Sequence, residues 1–169
     1  MKRISFLGLG IALTAVATMA VQIPIPATKE YLNLGDSVIM VLAVVFGPRF
    51  GFLVGSLGSA LADVVTGYAY WAPATLIIKG VEGFLVGWFS GRSKQPPNHL
   101  KLIWSFAVGA ITMAVGYFIA GAIMYGGAAA LADTPANLVQ GIGSVVVALP
   151  LTYALKKLRF LDREKKLDK

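Results

Sequence analysis

The chain has no cysteine and a single histidine, His99. Without cysteine there is no disulfide, thiolate metal site or thiol nucleophile. One histidine in a polar loop excludes a multi-histidine metal site. The sequence also lacks a Gly-x-x-x-x-Gly-Lys-Ser/Thr phosphate loop, a His-Glu-x-x-His motif and a Gly-x-Ser-x-Gly elbow. We therefore predict no catalytic residue, no metal, no cofactor and no ATP hydrolysis by the chain itself.

Charged residues are scarce as well. They make up 14% of the chain and hydrophobic residues 57%, against about 25% and 45–50% in an average soluble domain. Glycine is abundant, with 19 residues, which suits close helix packing in lipid. The length of 169 residues favours one domain over 1–169. This composition predicts an integral membrane protein embedded in a lipid bilayer.

Six apolar segments predict an all-α fold with six transmembrane helices. The first resembles a secretory signal, but its apolar run is long, so we expect a retained helix. The second is short, so it begins within the preceding loop or crosses tilted or incompletely. Asp36 and Asp133 are predicted to cap the second and sixth helices. The predicted ranges are about 4–22, 36–47, 50–66, 73–89, 102–125 and 135–155.

The positive residues sort to one side of these helices. With the N-terminus in the cytoplasm, all 15 Lys and Arg residues fall on the cytoplasmic side except Lys29 and Lys79. The positive-inside rule then predicts that both termini are cytoplasmic and that the protein lies in the cell membrane. It also accounts for the net charge of +7 without nucleic acid as a partner.

Lys79 and Glu82 lie inside an apolar segment, where each charge costs roughly 2.5–3.5 kcal/mol on insertion scales. Their spacing places them on one face of the fourth helix. Asp63, on the third helix, is expected at a similar depth. One interpretation is a structural charge pair of Lys79 with Asp63 or Glu82. Because one lysine cannot fully satisfy two carboxylates, we favour Glu82 as a ligand contact, with Lys79 supporting the wall.

Further polar and aromatic side chains are predicted at the same outer level. Asn137 and Gln140 share a face of the sixth helix and would either orient a polar ligand or bond to another helix. Tyr117 and Trp71 would either stack on a flat ring or anchor the protein at the interface. Together these residues predict a ligand site in the outer half of the bundle, beneath loops 27–35 and 67–72.

Four short motifs resemble one family of membrane proteins, the substrate-binding S components of energy-coupling factor (ECF) vitamin transporters. The resemblance is to the riboflavin-type group, in its hydroxymethylpyrimidine and pyridoxine branch. It implies capture of a vitamin from outside and docking onto a transmembrane coupling protein that carries two ATPase subunits. The motifs are Tyr-Leu-Asn-Leu-Gly-Asp at 31–36, Phe-Gly-Pro-Arg-Phe-Gly at 46–51, Leu-Ala-Asp at 61–63 and Ile-Lys-Gly-Val-Glu-Gly at 78–83.

The resemblance also bears on the ligand and on docking. Hydroxymethylpyrimidine is the first expectation, then pyridoxine, then riboflavin. Family members often carry an Ala-x-x-x-Ala pair on the first helix for docking; Gly8, Ala12 and Ala15 are the nearest small residues. Two alternatives stay open: a membrane enzyme that uses Lys79, Glu82 and Asp63, or a structural or channel-like protein. A bound vitamin and copurifying ATPases would distinguish the first interpretation.

Overall fold

The computed structural model describes residues 2–25, 29–91 and 99–167. Within them the chain forms six helices and a two-stranded hairpin, so the predicted all-α architecture is confirmed. The elements are α1 (Lys2–Ala20), β1 (Ile23–Ile25), β2 (Glu30–Leu32), α2 (Gly35–Phe46), α3 (Pro48–Val65), α4 (Ala72–Ser90), α5 (His99–Tyr125) and α6 (Gly127–Leu167).

Both predicted helix caps are wrong. α5 ends at Tyr125 and α6 begins at Gly127. Gly126 alone separates them, with a φ of 88°. Asp133 and Pro135 therefore lie inside α6, which also continues beyond residue 155 to Leu167. α2 begins at Gly35, and no side chain caps it. Asp36 cannot serve as the cap because its carboxylate is engaged with other helices.

The hairpin was not predicted, because proline and polar residues at 24–35 indicated only a loop. β1 and β2 are antiparallel, with Pro24 opposite Tyr31. Each strand has three residues. The hairpin closes one end of the helical bundle, which we call the loop end, and places Tyr31 against the helices, where it is 6% exposed.

α2 is short, as predicted. Its 12 residues span about 18 Å at 1.5 Å per residue, well below the roughly 30 Å of a bilayer core. Gly47, with φ of 96°, alone separates it from α3, which starts at Pro48. That φ favours glycine, and it allows α2 and α3 to form a tight pair with almost no connecting loop.

Three described helices are long and apolar enough to cross a membrane: Ala72–Ser90, His99–Tyr125 and Gly127–Leu155. Ile4–Ala20 and Gly35–Phe46 are apolar but shorter. The chain is thus a multi-pass membrane protein. That all six helices cross, and that both termini are cytoplasmic, stays a prediction.

Two buried apolar clusters fill the bundle. The cluster towards the loop end contains Trp71, Ile78, Met113 and Tyr117. The other joins α2, α4, α5 and α6. Its buried members are Met40, Val41, Ala43, Val44, Val86, Leu102, Phe106 and Ala148. Lys79 and Glu82 lie along α4 between Ile78 of one cluster and Val86 of the other, so the buried charges fall between the two apolar clusters.

α3 and α4 touch through their backbones. A methyl group added to Gly51 would overlap the carbonyl oxygen of Gly83, and one added to Gly83 would overlap the carbonyl oxygen of Gly51. Gly55 faces the carbonyl of Lys79 in the same way. Glycine at these positions lets the helices approach closely, which fixes the position of α4 and its charges relative to α3.

We expect Gly51→Ala to destabilise the protein by about 1–3 kcal/mol, because the overlap forces α3 and α4 apart. Gly143→Ala is the matched control, since nothing lies within 4 Å of its added methyl group. The control should be neutral or slightly stabilising. Thermal unfolding in detergent measures both variants; equal stability of Gly51→Ala and wild type would contradict the backbone contact.

Candidate functional site

Two loops meet at the loop end of the bundle. The Tyr70 hydroxyl donates a hydrogen bond of 2.6 Å to the carbonyl oxygen of Lys29. The rings of Tyr31 and Tyr68 lie 4.6 Å apart between centroids. Burial, then neighbouring Tyr125, raises the pKa of Tyr70 to about 12. Tyr70 therefore keeps its proton at neutral pH and remains the donor that joins the two loops.

A polar cavity lies beneath these loops. Its free volume is about 10 Å³, room for about one water molecule. Every helix except α2 contributes to its wall. The lining residues are Thr18, Tyr31, Asn33, Ser59, Asp63, Trp71, Thr75, Lys79, Tyr117, Asn137 and Gln140. The predicted location beneath the two loops and the cavity coincide.

Lys79 is a buried cation, 2% exposed, held between two carboxylates. It forms an ion pair and a hydrogen bond with Asp36 at the start of α2. Glu82 Oε2 lies 3.4 Å from Lys79 Nζ. Of the two predicted partners of Lys79, Glu82 is confirmed and Asp63 is wrong, and Asp36 is a partner that the sequence did not indicate. Lys79 Nζ also lies 5.2 Å from the centre of the Tyr117 ring, within cation–π range.

Gln140 extends this network from α4 and α2 to α6 and the first loop. Its Nε2 donates to Asp36 Oδ2 at 2.7 Å. Its Oε1 accepts from the backbone N–H of Asn33 at 2.8 Å. Both carboxylate oxygens of Asp36 are thus used, one by Lys79 and one by Gln140. One buried aspartate consequently holds three helices and a loop in register around the cavity.

Asp63 has a different environment from the one predicted. It is 3% exposed, and its Oδ1 accepts a hydrogen bond of 2.6 Å from the Tyr31 hydroxyl. Burial, with a smaller contribution from Asp63, raises the pKa of Tyr31 above its ordinary value. Tyr31 accordingly stays protonated and remains a donor. Asp63 is therefore a wall of the cavity and not the counter-charge of Lys79.

Glu82 is fully buried but is not among the side chains that line the cavity. It lies one helical turn beyond Lys79, and its Oε1 makes no hydrogen bond to a described residue. The predicted preference for Glu82 as the ligand contact is not matched by its position, because of the two residues only Lys79 lines the cavity. Lys79 faces the cavity, whereas Glu82 supports Lys79 from behind.

The other predicted ligand contacts come together at the cavity. Trp71 and Tyr117 form an edge-on pair with ring centroids 5.7 Å apart. Their burial, 1% and 7% exposed, shows that they are not interface anchors. Tyr117 also donates to Thr75 at 3.2 Å. Asn137, on α6, donates to Asp133 at 3.2 Å and also lines the cavity.

Sequence reasoning missed the short polar residues of the wall. Thr18, Ser59 and Thr75 are each 2% exposed, but isolated hydroxyls in apolar helices are common and gave no signal. Tyr31 and Asn33 fell in a segment interpreted as a loop. Asp36 is the exception, because an acidic residue next to an apolar segment can indicate a buried charge. It is interpreted from the sequence as a helix cap instead.

The predicted docking residues do not share one surface. Gly8 and Ala12 lie on the exposed face of α1, beside Leu9 and Val16, which are 65% and 57% exposed. Ala15 is only 3% exposed and packs inside the chain, so it is unavailable to a partner. The exposed part of the predicted set is thus Gly8 and Ala12.

The described residues thus form a multi-pass helical bundle with a polar cavity under two loops. Among the described side chains, no group of three or more His, Asp or Glu is placed to hold a metal ion. Residues 1–157 match the family model described as "ECF-type riboflavin transporter, S component". The chain belongs to this family of transporter components and is not an enzyme.

Two relatives cover nearly the whole chain. A Pyrococcus woesei protein described as uncharacterized is 45% identical over 142 residues, 84% of this chain and 93% of that protein. The thiamine precursor transporter HmpT of Lactococcus lactis is 29% identical over 163 residues, 95% and 92% of the two chains. A third relative covers about half of each chain. This UPF0397 protein of Streptococcus pneumoniae is 36% identical over 88 residues, 52% of this chain and 47% of that protein.

We expect Lys79→Met to lower the free energy of unfolding by about 3–5 kcal/mol, because it leaves Asp36 and Glu82 buried without a cation. Lys101→Met, at an exposed position, is the control and should change little. Adding Asp36→Asn and Glu82→Gln to Lys79→Met should restore part of the loss. Unfolding in detergent measures all three variants, and a Lys79→Met protein as stable as wild type would refute the buried ion pair.

Proposed function

We propose that the chain is the substrate-capture subunit of an ATP-driven vitamin importer in the cell membrane. It binds a small water-soluble vitamin or vitamin precursor from outside. Hydroxymethylpyrimidine is the first choice, followed by pyridoxine and riboflavin. A transmembrane coupling protein and two ATPase subunits supply the energy, in keeping with a chain that has no phosphate loop.

The observation that carries this proposal is the polar cavity beneath the two loops. Its wall offers a cation at Lys79, an amide at Asn137 and aromatic rings at Trp71 and Tyr117. This combination suits a compact heteroaromatic ring with several hydrogen-bonding groups. The name of the Lactococcus relative, a thiamine precursor transporter, supports the choice of a pyrimidine.

The residues have two kinds of role. Lys79, Asn137, Trp71 and Tyr117 contact the ligand directly. Gln140 also faces the cavity, but both of its polar ends are engaged with Asp36 and Asn33, so it links occupancy of the cavity to the position of the first loop. Glu82 acts through Lys79.

Entry of a ring-sized ligand requires the loops to move. A free volume of about 10 Å³ is far below the roughly 300–1,000 Å³ of pockets for drug-sized ligands. The Tyr70–Lys29 hydrogen bond and the Tyr31–Tyr68 contact close the cavity from above. Neither contact is a buried ion pair, so separating the loops costs far less than disrupting the Lys79 network.

Docking is proposed on the exposed face of α1. Gly8 has nothing within 4 Å of an added methyl group, so a partner helix could approach closely there. Capture and docking would then use different residues of α1, since Thr18 lines the cavity and Gly8 lies on the exposed surface.

Gentle purification followed by mass spectrometry should identify a bound pyrimidine or related vitamin, and the native complex should contain ATPase subunits. A preparation with neither a bound small molecule nor saturable binding of any of the three candidates would exclude vitamin capture. A bound vitamin without ATPases would leave capture intact and exclude the proposed coupling.

We expect Asn137→Ala to weaken binding of hydroxymethylpyrimidine by about threefold to tenfold, because one hydrogen bond to the ligand is lost. Gln22→Ala is the control: Gln22 is an amide at the same end that bonds to Thr66 and does not line the cavity. Isothermal titration calorimetry measures both. Equal affinities of Asn137→Ala and wild type would remove Asn137 from the site.

A further inference from the structure

One wall of the cavity has polar atoms that the protein itself leaves unused. Ser59 and Asp63 are one turn apart on α3, 2% and 3% exposed, and both line the cavity. Ser59 Oγ and Asp63 Oδ2 are buried and make no hydrogen bond to any described residue. The Thr75 hydroxyl interacts with Asp63, but no hydrogen bond joins it to Oδ2. Buried polar atoms in native proteins nearly always have partners, and these two lie where a group from outside the chain could supply one.

The charge at this wall defines which group fits. Lys79 is the single cation among the buried described side chains, and it is engaged with Asp36 and Glu82. Asp63 forms no ion pair with a described residue, and its Oδ1 already accepts from Tyr31. The free Oδ2 is a pure acceptor, because a carboxylate offers no donor. A ligand N–H opposite it would form a charge-assisted hydrogen bond.

Ser59 completes the pattern. Residues four apart on a helix have Cβ atoms about 5–6 Å apart, so both side chains reach one edge of a single aromatic ring. The Ser59 hydroxyl donates as well as accepts, and it therefore suits a ring nitrogen next to the N–H group. An amino-substituted nitrogen heterocycle presents a donor and an acceptor side by side in this way. In the same orientation, the oxo analogue exchanges the two and places its acceptor oxygen against the carboxylate.

We propose that the Ser59–Asp63 wall of α3 selects a heterocycle with an exocyclic amino group over its oxo analogue. This inference rests on the proposed function, since it specifies the ligand of the same cavity. It assigns to Asp63 a direct role in specificity that is separate from the Lys79 network.

The test compares the binding of two probes. The first is hydroxymethylpyrimidine with its exocyclic amino group, and the second is the analogue with an oxo group in place of the amino group. Wild type should prefer the amino compound. Asp63→Asn places an amide donor at the Oδ2 position, so its affinity for the amino compound should fall about tenfold to hundredfold. Its affinity for the oxo analogue should hold or rise. A merely structural role of Asp63 would lower both affinities equally, and that result would overturn the proposal.

Ser59→Ala provides a second variant in case Asp63→Asn does not fold. It should weaken binding of the amino compound by about threefold to tenfold. Ser56→Ala is its matched control, because Ser56 lies on α3, is equally buried at 2% exposed, bonds to the Phe52 carbonyl and does not line the cavity. Equal effects of the two serine variants would overturn the proposal.

Failure of the underlying function has a different outcome. If wild type binds riboflavin or pyridoxine but neither pyrimidine, vitamin capture stands and the amino-heterocycle inference is wrong. If wild type binds none of these compounds, the proposed function fails, and the inference fails with it. Wild type that binds the amino compound, with an unchanged preference in Asp63→Asn, refutes the inference alone.

Discussion

The buried ammonium of Lys79 is the constraint on which the arrangement of the bundle depends. A cation at this depth is stable only with counter-charges and hydrogen bonds around it. Asp36 and Glu82 provide the charges, and Gln140 secures Asp36. Because these residues come from α2, α4 and α6, the need to neutralise one lysine fixes the relative positions of three helices.

The close contact of α3 and α4 makes this network possible. Gly55 lies directly against the carbonyl of Lys79, so the backbone that carries the lysine packs tightly on α3. Gly51 and Gly83 repeat the contact further along the same two helices. Small residues thus set the helix separation, and the charged side chains then occupy the space that this separation leaves. Packing and electrostatics specify the same register, as expected for a chain with one stable fold.

The sequence was sufficient for the helices and for the location of the cavity, but not for the contacts within it. Long apolar segments indicated six helices, and Trp71, Tyr117, Asn137 and Gln140 were correctly placed at one level, because depth follows from position along a helix. Which side chains meet across helices depends on rotation and register, and these are set by packing. Lys79 was therefore assigned to Asp63, although α2 presents Asp36 to it. The hairpin was missed because two strands of three residues, one of them containing a proline, carry no periodic signal.

The separation of Asp63 from Lys79 gives the cavity two chemically different walls. On the α4 side, Lys79 is enclosed by carboxylates and an aromatic ring, so its charge is largely neutralised by groups of the protein itself. On the α3 side, Asp63 keeps an acceptor that no described side chain hydrogen-bonds. Had the two residues paired, each charge would have neutralised the other, and Asp63 would not be left without a counter-charge. Because Asp36 takes the lysine instead, Asp63 Oδ2 in the cavity wall keeps its capacity to accept a hydrogen bond.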